Sequence, residues 1–273
     1  MITPIDFVVE DFMAYIGDAR LVRAIQTEGL RGSELIDNLI LLKFCGLAEI
    51  QKVLKEVYDR PFAWLNTDMT PPEYRAIADK HGVLIEKGRY LIVYIPLGQT
   101  VDESELAIDI PNHELGVRYI ADCNYRQLKL GLDPSIISTQ LAPLNPVLVF
   151  KRLIVDCLES AGTDLHLESR YNKEKRAEHV IRYRVKRELV YSKFKIDYEM
   201  MKSIIVNVIG KLTNKSAADV NSAGGVVAEV RDVFQDGSCD LRVSCNPVSA
   251  GYYMVVAIQT INTTGKTLDE LGF

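Results

Sequence analysis

Gly265-Lys266-Thr267 has the residue types that close a phosphate-binding loop. The full pattern, G-x-x-x-x-G-K-[ST], needs a glycine where this sequence has Thr260. It also needs a helix behind it, whose first amides hold the phosphates, and residues 268–273 are too few to form one. We read NTTGKT as a turn, with Thr267 a candidate helix cap. Asp164 and His166 are two residues apart in TDLHLES, so they share one face of a strand. An acid–base couple is one reading of them. The sequence places no nucleophile or metal partner beside them, so a structural hydrogen bond is the preferred reading. Residues 170–187 hold eight Lys or Arg against two Glu, with Arg182 and Arg184 on one face of HVIRYRVKREL. Such a charge run is a solvated hairpin face, a protein contact or a weak nucleic-acid patch. The third reading lacks interleaved aromatics beyond Tyr183.

These residues need elements to hold them. SELIDNLILLKFCG spaces Leu35, Leu39 and Leu42 as a helix, with Ser33 as cap and Gly46 as stop. LAEIQKVLKEVYDRP is a second helix ended by Pro61, and its mixed charge suits packing better than a DNA recognition helix. TPPEYRAIADKHG is a third, with Thr70 as cap and Gly82 after its end. VLIEKGRYLIVYIP predicts a hairpin turning at Lys87-Gly88, and GVRYIADC a further strand. The proline-bearing stretch 131–146 reads as a linker. Beyond it, Asn145 and Pro146 open an apolar helix that Gly162 ends. TDLHLES and HVIRYRVKREL alternate as strands. DYEMMKSIIVNVIGKL reads as one helix, and VVAEVRDVF, CDLRVSC and YYMVVAIQTI as a three-strand meander. The expected fold class is α+β: a mixed α/β domain over residues 1–140 and an antiparallel-sheet domain with flanking helices over residues 145–273.

Composition narrows the function classes. The 273 residues are 48% hydrophobic and 25% charged, as in globular proteins, and the net charge of −5 argues against coating nucleic acid. No apolar run approaches the ~20 residues of a membrane span. The start, MITPIDFVVEDF, lacks a charged-then-apolar leader, so a cytoplasmic location is expected. The five cysteines form no C-x-x-C and the four histidines are scattered, so reduced thiols and no metal site are expected.

Five stretches, in order, resemble one family. SAGTDLHLE, IRYRVKREL, FQDGS, CDLRVSCNPVSAGYYMVV and LDELGF are similar to motifs that precede the ATPase core of type II secretion and type IV pilus assembly ATPases. The resemblance covers about residues 145–273. More loosely, the paired helices, the stretch PFAWL after Arg60 and the following αβ unit resemble the family's N-terminal domain.

The resemblance implies a PAS-like second domain flanking an ATPase core that lies beyond residue 273. It implies a first domain that docks on the cytoplasmic part of an inner-membrane platform protein. The full-length protein would be a hexameric, cytoplasmic motor at the inner membrane, using ATP and Mg. The 273 residues alone would hold no catalytic residue, metal or cofactor and would contact no nucleic acid. The family reaches its nucleotide with two arginines. Arg242, in CDLRVSC, is the first, and Ala257 stands where the second is expected. Arginine suits that task because its planar fork donates paired hydrogen bonds to phosphate. Arg182 and Arg184 are then read as contacts to a neighbouring subunit. Lys186-Arg187 replaces the family's Asp-Gly, so a longer hairpin is expected there. The R-L-G motif by which some relatives bind cyclic di-GMP is absent from residues 31–46. The alternative reading is a stand-alone binding or regulatory module of the same machinery without ATPase activity.

Overall fold

A computed structural model of the protein describes residues 1–261 except 112, 134, 139, 141, 215, 217, 218 and 220–224. The Gly265-Lys266-Thr267 triplet and the LDELGF stretch lie outside the described residues. The fold is α+β, and the chain divides into two compact units, Met1–Asn145 and Pro146–Phe273. Among the described residues no helix is long and apolar enough to cross a membrane.

The first unit opens with α1 (Ala19–Glu28), α2 (Gly32–Leu41) and α3 (Leu47–Glu56). The Asp18 side chain accepts from the Arg20 amide at the head of α1, and Gly29, at φ 66°, closes it. Two punctuation marks differ from expectation. Ser33 caps nothing: α2 starts at Gly32, whose N–H donates to the Phe7 carbonyl at 2.9 Å. Gly46 does not stop α2 either. Left-handed Lys43 follows the end of that helix, and Gly46 is the N-cap of α3. The Thr70 hydroxyl accepts from the Ile85 amide at 3.1 Å instead of capping a helix.

Next come α4 (Arg75–His81), β1 (Leu84–Lys87), β2 (Leu91–Pro96), α5 (Glu103–Asp109), β3 (Leu115–Ile120), α6 (Asp122–Leu130) and the two-residue β4 (Ile136–Ile137). The sheet order is β1-β2-β3. β1 and β2 form the expected hairpin, whereas β3 lies parallel to β2. Parallel pairing needs a crossover, and α5 supplies it. Tyr94 and Ile120 of the sheet pack with Ala63 and Leu65, and Tyr125 and Leu128 of α6 lie against them.

The second unit holds α7 (Pro146–Glu159), β5 (Gly162–Tyr171), β6 (Ala177–Val185), β7 (Glu188–Tyr191), β8 (Lys195–Ile196), α8 (Tyr198–Ser203), α9 (Gly210–Thr213), β9 (Val226–Val230), β10 (Cys239–Val248) and β11 (Gly251–Thr260). Its antiparallel sheet runs β7-β6-β5-β11-β10-β9, the expected PAS-like plan of one sheet with flanking helices. The stretch DYEMMKSIIVNVIGKL is not one regular helix. A π-helical turn, Ile204–Ile209, joins α8 to α9. The β-branched run Ile204, Ile205, Val206 is stiff in an α-helix, and the wider turn leaves Ile204, Ile205 and Val208 buried.

HVIRYRVKREL is not a single strand. It turns at Lys186-Arg187, and Val185 pairs with Glu188. Both turn residues have positive φ, 49° and 75°, so a tight two-residue hairpin forms without glycine and the longer loop expected there is absent. The long side chains bear conformational strain at these positions. Replacing Lys186-Arg187 by Asn-Gly is therefore expected to raise stability by ~1 kcal/mol, read as a higher urea midpoint at unchanged slope.

Candidate functional site

Alternation along β10 sorts its side chains between two faces. Cys239, Leu241, Val243 and Cys245 are buried on one side, which leaves Asp240, Arg242, Ser244 and Asn246 on the other. The buried face packs on α7. On that side the Tyr183 hydroxyl of β6 donates to Asp156 Oδ2 of α7 at 2.7 Å. The opposite face of the sheet carries every arginine that the sequence reading selected.

Register places those residues in rows. In the first, Arg184 faces Asp164, Asp164 faces Ala257, Ala257 faces Arg242, and Arg242 faces Glu229. In the second, Arg182 faces His166, which faces Val255. Glu168 and Tyr253 face each other one step along. Strands lie ~4.8 Å apart, so Arg242 and Asp164 are about 10 Å apart at the backbone, with only an alanine methyl between them.

The Arg242 side chain is 59% exposed, and its one ion pair among the described residues is to Glu229 Oε1 at 3.2 Å, itself 61% exposed. A pair this exposed contributes little to stability and breaks readily. Asp240, two residues before Arg242 on the same face, accepts from the Asp232 amide at 2.8 Å, ahead of the FQDGS loop. Asp232 Oδ1 accepts from the amides of Asp236 and Gly237 within that loop. The result is an exposed cation on a strand paired on both sides.

Arg182 and Arg184 differ from Arg242 and from each other. Arg182 forks onto Glu168, with Nη2 at 2.7 and 2.6 Å from the two carboxylate oxygens and Nε at 3.0 Å. Glu168 is 5% exposed, and an ionised carboxylate that deep requires a hydrogen-bonded cation. Arg184 Nε is 3.4 Å from Asp164 Oδ2, and its side chain is 42% exposed. Of the two, only Arg184 keeps its guanidinium largely at the surface.

His166 is 2% exposed. Burial holds its pKa below that of a free imidazole, against the charges of Glu168 and Asp164, which raise it. Its Nδ1 is 3.4 Å from the Tyr253 hydroxyl, and its Nε2 meets no hydrogen-bond partner among the described residues. Asp164 and His166 thus form no acid–base couple with each other. Asp164 works with Arg184 and Thr163, and His166 with Tyr253.

Two acids escaped the sequence reading. Glu168 was visible in principle, because Asp164, His166 and Glu168 follow the same two-residue period in TDLHLES. Asp37 gave no signal. It is 1% exposed on α2, and its Oδ1 accepts from the Cys123 amide of α6 at 2.9 Å. Its Oδ2 meets no partner among the described residues. Burial foremost, and the nearby Asp122 charge, push its pKa up to about 7. All five cysteines are free and buried. Among the described residues no cluster of three or more His, Cys, Asp or Glu could hold a metal ion. No family model matches the chain, and a search of curated proteins returns no match.

Proposed function

We propose that the protein is the adaptor and arginine-bearing flank of a type II secretion or type IV pilus assembly ATPase. In this reading the motor is a cytoplasmic hexamer, peripheral at the inner membrane, whose ATPase core binds ATP and Mg. Met1–Asn145 docks on the cytoplasmic domain of the membrane platform protein. Pro146–Phe273 turns the Arg242 face toward nucleotide in the core. Phosphoryl transfer is governed by positioning and by positive charge around the γ-phosphate, and a guanidinium supplied from a flanking element meets both needs.

One observation supports the reading above the rest: Arg242 stands exposed on a strand paired on both sides, and among the described residues only a surface ion pair holds it. Exchanging Glu229 for a phosphate costs little, so nucleotide in the core would draw the flank inward. The adaptor would then transmit that movement to the platform. Arg184 remains available for a neighbouring subunit, whereas Arg182 serves Glu168 first.

The test is Arg242→Ala in the assembled motor. We expect kcat to fall ~100-fold or more with little change in KM, since the contact strengthens as charge develops on the phosphate. Hydrolysis at the parent rate removes the proposed role. A stand-alone binding or regulatory module is the second reading. It is favoured by Ala257, which leaves one phosphate-facing arginine where a clamp would have two, and by the balance of charge along that row. Stable binding to the platform's cytoplasmic domain, with no effect of Arg242→Ala on any motor, would select it.

A further inference from the structure

In β3 the backbone groups of alternate residues point to opposite edges. Glu114 and Ile120 direct their carbonyls at β2, accepting from the Leu91 and Leu97 amides. Tyr119 directs both its groups outward: its amide donates to the Pro61 carbonyl at 2.9 Å and its carbonyl accepts from the Ala63 amide at 2.8 Å. By the same alternation Leu115 and Val117 present N–H and C=O to the outer edge. Neither makes a hydrogen bond on that side among the described residues. The reason is local. Asp59, at φ 51°, turns the chain off the edge just before residues 61–63, and the Arg60 amide is taken by the Leu54 carbonyl of α3.

Beside this open edge lies a trough of about 460 Å³ between α5 and the sheet. Ile2, Ile95, Leu106, Ala107, Leu115 and Val117 line it, so Leu115 and Val117 contribute both the unpaired backbone and the apolar wall. Glu103 stands at its rim and Glu114 at the start of the strand. Both are exposed, and neither is in an ion pair among the described residues. Ile108, 75% exposed, extends the apolar surface along α5.

We infer that the β3 edge at residues 115–117 accepts an extended segment of a partner protein, one that alternates apolar residues with Lys or Arg. The segment continues the pairing that residues 61–63 begin at Tyr119. Main-chain hydrogen bonds to Leu115 and Val117 give affinity, apolar side chains enter the trough, basic ones between them turn by alternation to the face of Glu114, and a basic residue at the segment's end meets Glu103 at the rim. An uncovered edge of this kind is otherwise an aggregation hazard, and its acidic rim disfavours pairing with a second copy of the same edge. The adaptor reading bears only on whose segment it is. The site itself stands on this unit alone.

The experiment uses the whole chain and a fluorescent peptide of about ten residues alternating Val and Lys. Saturable binding is expected, with slowed hydrogen exchange at the Leu115 and Val117 amides. Val117→Pro removes an outward N–H without touching the ladder to β2, so it should weaken binding ~10-fold or more in a protein that still melts cooperatively. Glu103→Lys with Glu114→Lys should shift preference to the matching Val/Glu peptide, and this pair decides the matter if the proline variant does not fold. Absence of saturable binding overturns the inference, as does equal affinity of the parent for both peptides. Neither result involves a motor or a platform protein, so the proposed function is tested separately.

Discussion

Arg182→Ala lowers folding stability by about 3 kcal/mol or more, because it strands Glu168. The carboxylate is 5% exposed, and three of its hydrogen bonds come from that one guanidinium. His166, 3.8 Å away, offers no replacement, since burial disfavours its charged form. Removing one partner of a buried pair costs far more than the pair itself is worth. A double replacement by apolar side chains, Arg182→Met with Glu168→Leu, should therefore recover most of the loss. Arg182→Lys should fall between, as an ammonium cannot fork onto two oxygens. Urea unfolding of the four proteins measures all of this. A single variant within 0.5 kcal/mol of the parent would mean that the ion pair does not hold this face, and would free Arg182 for a subunit contact.

The second large effect is in the first unit and depends on pH. Burial and the Asp122 charge lift the Asp37 carboxyl from 3.8 to about 7, although the Cys123 amide pulls it down. Between those values the folded protein keeps a proton that the unfolded chain has lost. Stability from this group is thus complete below pH ~4 and is lost as pH rises through about 7. Asp37→Asn keeps an oxygen for the Cys123 amide and cannot ionise. At pH 8 the variant should be more stable than the parent by an amount on the order of 4 kcal/mol, and near pH 4 the two should converge. His166 and His179 act with the opposite sign: burial lowers both, so their contribution is lost as pH falls through 6.5. The difference between variant and parent isolates Asp37, whereas the parent's own curve mixes these with other shifted carboxyls such as Glu34 and Asp109. A difference that stays flat from pH 5 to pH 8 would show that Asp37 is ionised throughout.

The arginine face was legible where local period decides. Arg242 had to face away from Val243 because strands alternate, and Arg182 and Arg184 had to share a side for the same reason. What Arg182 touches was not legible. Its partner Glu168 belongs to another strand, and the register between β5 and β6 is set by the whole sheet rather than by either segment. Turn chemistry misled in the other direction. Lys186-Arg187 lacks the residues that favour positive φ, yet pairing on both sides of the hairpin holds it tight. Asp37 lies in a run whose apolar stripe predicts a helix, and nothing in a helical period reveals that an acid between the leucines meets the head of α6. Tertiary contacts set the departures; the periodic elements themselves were readable.

In the second sheet, β5 enters at the start of its unit and pairs with β11, the last strand described, while β9 and β10 fill in behind. During synthesis the ribosome must release Ala257 before Asp164 and His166 meet their neighbours on β11. Until then β5, β6 and β7 are a nascent three-stranded ribbon with a bare flank, dependent on chaperones or on speed to avoid sticking. The β1-β2-β3 sheet of the first unit, complete by Ile120, has no such wait. Slow codons would be tolerated near residue 145 and harmful between β7 and β11.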